Sequence, residues 1–459
     1  MRTLLFILLL FIASLVMGQK QEAVRDLQQT SGLRHAVIGI SVKRVRDGAS
    51  VLDYNGSMAL TPASVTKLFP TIFALMDRGA AFTYTTRVVY RGSLQDSVLQ
   101  GDILVQAGGD PCLDSKYFPK YTFVERLLTR LQELGVKRIT GRVRVQEGSG
   151  GASIPGSWPW EDVANHYGAI YHPFNYRDNT YNLQLHVWQD SVEILPVRPR
   201  LPRVTFLNQV RVNPAKPNDV WLYGGPHAAR IEVRGTLSGH PLRFSVKGAM
   251  HHPAEVFERE LTDRLCACGI VVEEKEQLLD SLSSELLTFT SPVLAELVFY
   301  TNKRSVNLFA EALGKLVAAD DFQQGVKRHL TRIPTDTSGL LLKDASGLSP
   351  LNAVPAETFT DLLVWAYQHA DPAFWRSLPE GGVDGGLAIY SDHPLLGARL
   401  RAKTGSLSGV RALSGYLTTQ EKELLAFTVL VNHYTCPSRV VQEAVRDFLV
   451  ELTQAKVEN

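Results

Sequence analysis

Cysteine is scarce in this chain. Four residues in 459 are too few for a disulfide framework, and their positions, 112, 266, 268 and 436, fit no zinc module. Cys266 and Cys268 stand too close to bridge one another; they read as small buried residues on a helix and at its end, and no disulfide is expected. An excess of charge of one sign is equally missing. Lys and Arg number 48 against 46 Asp and Glu, a net of +2, which excludes a nucleic-acid binder that works by neutralising phosphates. No His-Glu-x-x-His occurs, and none of the twelve histidines, His166 and the pair His251-His252 included, sits in ligand spacing, so neither a metal nor a cofactor is expected. No Gly-x-Ser-x-Gly occurs, which removes the nucleophile elbow of the α/β-hydrolases. Beyond the first 18 residues no apolar run is long enough to cross a bilayer, so no integral membrane segment is expected in the mature chain.

What is present is an ordinary globular composition, 45% hydrophobic and 20% charged, over a length that suggests two or three domains. The N-terminus departs from it. Arg2 precedes an apolar run from Leu4 to Met17 that closes in Val16-Met17-Gly18, the pattern of a cleavable secretory signal over residues 1–18. No cysteine follows the run, which argues against lipid attachment. The mature protein is therefore read as exported and soluble.

Along the chain, residues 36–42 and 50–54 read as a hairpin turned at Asp47-Gly48. A helix is expected next, with Thr61 as its cap, Pro62 at its first position and apolar residues to Leu75; Pro70 predicts a kink or break near Lys67. From Tyr84 to about Ser284 short β-like runs alternate with Gly and Pro. The stretch from Pro196 to Pro217, which carries Arg198, Arg200, Arg203 and Arg211, reads as a basic connector. Helical patterns return at 294–300, 305–316 and 356–367, and the C-terminus reads strand, turn, strand, helix. The pattern predicts an α+β protein: one domain whose N-terminal hairpin and C-terminal strands share an antiparallel sheet flanked by helices, interrupted by a β-rich insertion.

Three short motifs occur in order: Ser64-Val-Thr-Lys67, Ser305-Val-Asn307 and Lys403-Thr-Gly405. Each alone arises by chance; together, in fitting secondary structure, they specify a chemistry. Ser64 and Lys67, three apart at a helix start, share one face. A serine hydroxyl is a weak nucleophile unless a neighbouring base takes its proton, and an amine does so when neutral. The helix N-terminus and the second cation, Lys403, both disfavour charge on Lys67. Ser305 is placed to relay a proton to a leaving amine, and Asn307 to bond a substrate amide. Lys403 and Thr404, on an edge strand, can pair with an extended peptide and meet its terminal carboxylate.

These motifs, with Gly101-Asp-Ile-Leu-Val-Gln-Ala-Gly-Gly-Asp-Pro111, Pro155-Gly-Ser-Trp-Pro-Trp-Glu-Asp162, Asp344-Ala-Ser-Gly-Leu348 and Pro379-Glu-Gly-Gly-Val-Asp-Gly385, resemble those of the class C, penicillin-binding-protein-4 type of D-alanyl-D-alanine carboxypeptidase/endopeptidase over nearly the whole mature length. The resemblance implies a penicillin-binding-protein/serine β-lactamase-like transpeptidase domain, residues 19–85 and 286–459, split by a β-rich insertion at 86–285 of one or two domains, the second at about 190–245. It implies Ser64 as acylated nucleophile, Lys67 as its base and Ser305 as the third catalytic residue. Asn307, Lys403, Thr404, Gly405, Ser406 and Leu407 would bind substrate, the N–H groups of Ser64 and Ser406 forming the oxyanion hole. Asp162, Trp160 and Tyr167 from the insertion would line a pocket for an aliphatic chain ending in an ammonium group. Peptidoglycan stem peptides would be the substrates, β-lactams the covalent inhibitors and the periplasm the compartment. Val306 departs from the Asp that relatives often carry, and Pro70 is a second departure. The alternatives are a serine β-lactamase, for which no deacylating base motif is seen near Ser305, and a non-catalytic penicillin-sensing or wall-binding protein, for which an anchor would be expected.

Overall fold

The computed structural model describes residues 22–148, 154–239, 242–276, 283–391 and 393–454; the expected signal segment, 1–18, lies outside them. The chain forms two compact units. Of the described residues, one takes those within Met1–Ala80, Ala295–Val306 and Leu313–Asn459, the other those within Ala81–Leu294 and Asn307–Ala312. Among the described residues no helix is long and apolar enough to cross a membrane.

The discontinuous unit is built on β1 (Val37–Arg44), β2 (Ser50–Tyr54), α1 (Leu68–Arg78), α2 (Leu294–Lys303), the part of α3 (Asn307–Val317) from Leu313 on, α4 (Ala356–His369), β3 (Leu400–Leu407), β4 (Val410–Thr418), β5 (Leu424–Asn432) and α5 (Ser438–Gln454). Its five strands pair in the order β3-β4-β5-β1-β2, all antiparallel, so the N-terminal hairpin and the C-terminal strands do share one sheet. Both faces are covered. Val441, Val445, Phe448, Leu449 and Leu452 of α5 join one core with Ile38, Ile40, Val42 and Leu417. On α4, Thr360 Oγ1 donates to Thr428 Oγ1 (3.1 Å), and the Leu363 carbonyl accepts from the Tyr416 hydroxyl (2.7 Å). Central strands buried on both faces lose the alternation of a half-exposed sheet, which is why β5 reads as the near-unbroken run Leu-Leu-Ala-Phe-Thr-Val-Leu-Val.

The predicted break near Lys67 is a change of helix type. Ala63–Lys67 is a 3-10 turn and the α-helix begins at Leu68, so Pro70 falls within the first turn, where a missing N–H leaves no bond unmade. Thr61 does not cap the helix. Its hydroxyl donates to the Pro350 carbonyl (3.1 Å) and its N–H to Asn432 Oδ1 (2.8 Å), so it ties the segment to the sheet and the following loop instead.

The second unit carries a six-stranded mixed sheet, order Val271–Val272, Arg138–Ile139, Val98–Gln106, Thr85–Gln95, Ser283–Thr290, with Val143–Gln146 also paired to Val98–Gln106. Helices Phe123–Glu133 and Pro253–Ala267 contribute Phe123, Leu127, Phe257 and Leu261 to its core. Two three-stranded sheets complete it, Thr180–Trp188 between Ser191–Ile194 and Leu242–Ala249, and Arg230–Leu237 between Thr205–Val212 and Asp219–Tyr223. The basic connector is thus half strand. Its prolines stand at the ends, and between Arg203 and Asn213 none removes a ladder donor. Cys266 and Cys268 are exposed rather than buried, because they fall at the solvent-facing end of helix Pro253–Ala267; all four cysteines are free.

Phe359 of α4 is wholly buried against Phe69 of α1, ring centroids 4.9 Å apart, beside the segment that carries Ser64. Phe359→Ala is expected to cost about 3–5 kcal/mol of stability. A urea midpoint equal to that of the parent chain would refute this packing.

Candidate active site

Ser64 sits on the 3-10 turn immediately after Ala63, whose φ of 46° is a left-handed conformation that costs a non-glycine residue about 1–3 kcal/mol. Three residues on, Lys67 is completely buried. Its Nζ donates to Ser64 Oγ (3.0 Å) and to the Ser346 carbonyl (2.5 Å).

Lys403 lies in the middle of β3, at the outer edge of the sheet, and only 1% of it is exposed. Its Nζ donates to Ser305 Oγ (3.0 Å) and to the Thr404 carbonyl (2.7 Å). Burial, and after it the Lys67 charge, holds the Lys403 ammonium well below the usual lysine value of 10.5. Gly405 is glycine for a steric reason. A Cβ there would lie 2.6 Å from the Pro62 carbonyl and 3.1 Å from Ala63 Cβ, so only a bare backbone lets β3 come this close to the turn that carries Ser64.

Ser305 joins α2 to α3 with a φ of 55°, again left-handed. Asn307 opens α3, and its Nδ2 donates to the Tyr167 carbonyl (2.9 Å). Ser406 accepts from Arg411 Nη1 (2.5 Å) and is exposed, and Leu407 is half-buried on the face of β3 shared with Lys403 and Gly405. Thus Ser64, Lys67, Ser305, Lys403, Thr404 and Gly405 converge within one unit.

Two groups of the motif Asp344–Leu348 have a role that the sequence did not show. One is the Ser346 backbone carbonyl that holds Lys67. The other is Asp344, a buried carboxylate that accepts from Gly347 N–H (2.8 Å), Ser349 N–H (2.7 Å) and Asn352 Nδ2 (2.7 Å) and so shapes the loop that presents this carbonyl. Gly347 presses the loop on the Ser64 turn; with φ at 79°, its Cβ would stand 1.9 Å from the Ala63 carbonyl. The spacing Asp-x-x-Gly is the usable signal, because it is that of a turn closed by its first side chain.

Trp160, Asp162 and Tyr167 belong to the second unit. Trp160 and Tyr167 are exposed; Trp160 packs on Tyr223 (centroids 5.1 Å), and Arg234 lies over both rings. Burial first, and the Glu161 charge second, push the Asp162 carboxyl up to about 6. His172, His251 and His252 interact with one another, and His227 packs on His252, a grouping that sequence spacing did not show. Among the described residues no three His, Cys, Asp or Glu side chains are placed to hold a metal.

The sequence profile of the D-Ala-D-Ala carboxypeptidase 3 (S13) family matches residues 20–456. The chain belongs to this family. Membership makes it a serine-type D-alanyl-D-alanine carboxypeptidase. Among its relatives, the D-alanyl-D-alanine carboxypeptidase DacB of Haemophilus influenzae is 26% identical over 423 residues, 87% of this chain and 86% of that protein. The D-alanyl-D-alanine carboxypeptidase of an Actinomadura species is 26% identical over 474 residues, 94% of this chain and 84% of its own. The crystal structure of penicillin binding protein 4 from H. influenzae superposes with a TM-score of 0.78 at 24% identity, covering 94% of this chain and 98% of that one; the same protein complexed with a β-lactam gives 0.74 at 25%, covering 95% and 99%. The fold of this S13 chain is therefore that of the penicillin-binding and serine β-lactamase group, with an insertion.

The Lys403 ammonium has a stability consequence with a definite sign. Its folded-state pKa is depressed, so below that value the folded protein carries a penalty that the unfolded chain does not, and the penalty fades as pH rises toward 10.5. Lys403→Met is expected to raise the melting temperature at pH 7 and to flatten its rise with pH, while turnover falls by about 2–4 kcal/mol in activation free energy. A lower melting temperature would show that the buried ammonium is net stabilising.

Proposed function

We propose that the protein is an exported peptidase, working in the periplasm, that cleaves the D-alanyl-D-alanine terminus of peptidoglycan stem peptides and D-alanyl–diaminopimelate cross-links through an acyl-enzyme on Ser64. The observation that carries this reading is the pair of lysine–serine contacts, Lys67 to Ser64 and Lys403 to Ser305, held in one unit. Ser64 Oγ attacks the carbonyl carbon and passes its proton to neutral Lys67. The N–H groups of Ser64 and Ser406 receive the developing oxyanion. The C–N bond then breaks, and the leaving amine takes a proton through Ser305. Water repeats the sequence on the acyl-enzyme and returns Ser64. Lys403 and Thr404 hold the leaving residue's carboxylate, Asn307 the amide on the acyl side. A β-lactam enters by the same attack, but its amine stays tethered after ring opening and obstructs water. Intact lysine–serine contacts favour this reading over a non-catalytic sensor.

Asp162, with Trp160 and Tyr167, is assigned to an aliphatic chain that ends in an ammonium group, as diaminopimelate does. The rings cover methylenes, and the carboxylate pairs the charge.

A fluorescent penicillin should label Ser64, and Ser64→Ala should abolish labelling with the fold retained; mass spectrometry of the labelled peptide decides, and a label on another serine ends the assignment. Asp162→Ala should slow peptides with a free diaminopimelyl amine about tenfold and leave penicillin acylation nearly unchanged. Since Asp162 is charged only above about pH 6, the preference for the amine should fade as pH drops below that value. Equal losses with and without the amine would reduce Asp162 to a structural role.

A further inference from the structure

An edge strand has a row of outward N–H and C=O groups, and in β3 this row is only half open. Every second residue of a strand turns its backbone groups to the same side. Leu400 accepts from Gly381 N–H (2.9 Å) and Ala402 donates its N–H to the Pro379 carbonyl (3.0 Å), an antiparallel bridge of Glu380 with Arg401. Residues 400 and 402 therefore face outward and are occupied, and the register of β3 with β4 runs without a shift to Leu407, so Thr404 and Ser406 face outward too. Among the described residues no strand pairs with this edge beyond Ala402.

The occupying segment, Pro379–Asp384, is fastened at both ends. Glu380 pairs with Arg401 (2.6 Å), and Asp384 pairs with the largely buried Lys303 at the end of α2 while accepting the Glu380 N–H (2.8 Å). Gly381 lets the segment lie flat, since a Cβ there would stand 2.3 Å from the Gly397 carbonyl.

We infer that this segment is a strap that ends the substrate groove, and that Glu380, Arg401, Lys303 and Asp384 are specificity-determining residues. The inference rests on the proposed function. A peptide lying antiparallel on β3 with its scissile carbonyl at Ser406 N–H directs its leaving residue toward Thr404 and Lys403, and the next backbone position along the edge is Ala402, already taken. The strap therefore excludes any substrate whose main chain continues past the leaving residue. A cross-link passes this filter, because its leaving residue is joined through a side-chain amine. That residue's own carboxylate ends the line along β3, and the rest of it branches away.

Three pentapeptides separate the strap from carboxylate recognition: one ending in D-alanyl-D-alanine, its C-terminal amide, and the same peptide extended by glycine. The amide lacks the carboxylate without adding length. The strap predicts that the wild-type chain cleaves the D-alanyl–D-alanyl bond of the extended peptide at least tenfold more slowly than that of the amide. Arg401→Gln with Lys303→Met, which removes both ion pairs, should narrow this gap at least threefold by raising the extended peptide alone. Equal rates on amide and extended peptide in the wild type overturn the inference, whatever the variant does, and so does a folded variant with an unchanged ratio. Fluorescent penicillin run beside these assays keeps the two readings apart. Absence of Ser64 acylation would strike the proposed function, whereas normal acylation with an unaltered ratio would strike only the strap.

Discussion

Two lysine amines share one small volume closed to water, and the site depends on that constraint. Lys67 has no exposed surface and Lys403 has 1%. An ammonium in such a place is tolerated only with hydrogen-bond acceptors around it, and the acceptors are the serine hydroxyls and two backbone carbonyls, those of Ser346 and Thr404. The same burial disfavours the charged form of Lys403. Left-handed backbone at Ala63 and at Ser305 belongs to the same account, because each holds a serine where ordinary helical geometry would not.

What brings these groups together is the absence of a side chain. At Gly405 the edge strand comes within contact of the turn that carries Ser64, and at Gly347 the loop governed by Asp344 comes in from another direction. The sheet then supplies rigidity. β1 and β5 are buried on both faces, so β3 and β4 are anchored to elements that cannot shift without opening a core.

Much of this was readable from the amino acids alone, for identifiable reasons. The hairpin, the terminal helix and the strands of the sheet follow from local periodicity, and the contact of Ser64 with Lys67 follows from a spacing of three. Other features depend on distant partners. Thr61 has the chemistry of a cap, yet its hydroxyl finds the Pro350 carbonyl. The strand Thr205–Val212 hides between prolines because it pairs with residues beyond a turn and a further strand. The Ser346 carbonyl and the strap at Pro379–Asp384 act through backbone atoms, so the motifs Asp344–Leu348 and Pro379–Gly385 stand out in the sequence without showing what they do. The gathering of His172, His227, His251 and His252 is of the same kind, assembled from segments that are remote along the chain.

The chain leaves the catalytic unit at Ala80 and returns at Ala295, and those two residues are hydrogen-bonded, Ala295 N–H to the Ala80 carbonyl at 3.1 Å. This sets an order of assembly. β1 is among the first strands to be made, yet its partner β5 is among the last, and almost the whole second unit is a continuous stretch in between. Ser64 therefore spends most of biosynthesis beside an unfinished sheet. Lys403 meets Ser305 only once the C-terminal strands are in place, so a fragment that stops short of β3 lacks this contact.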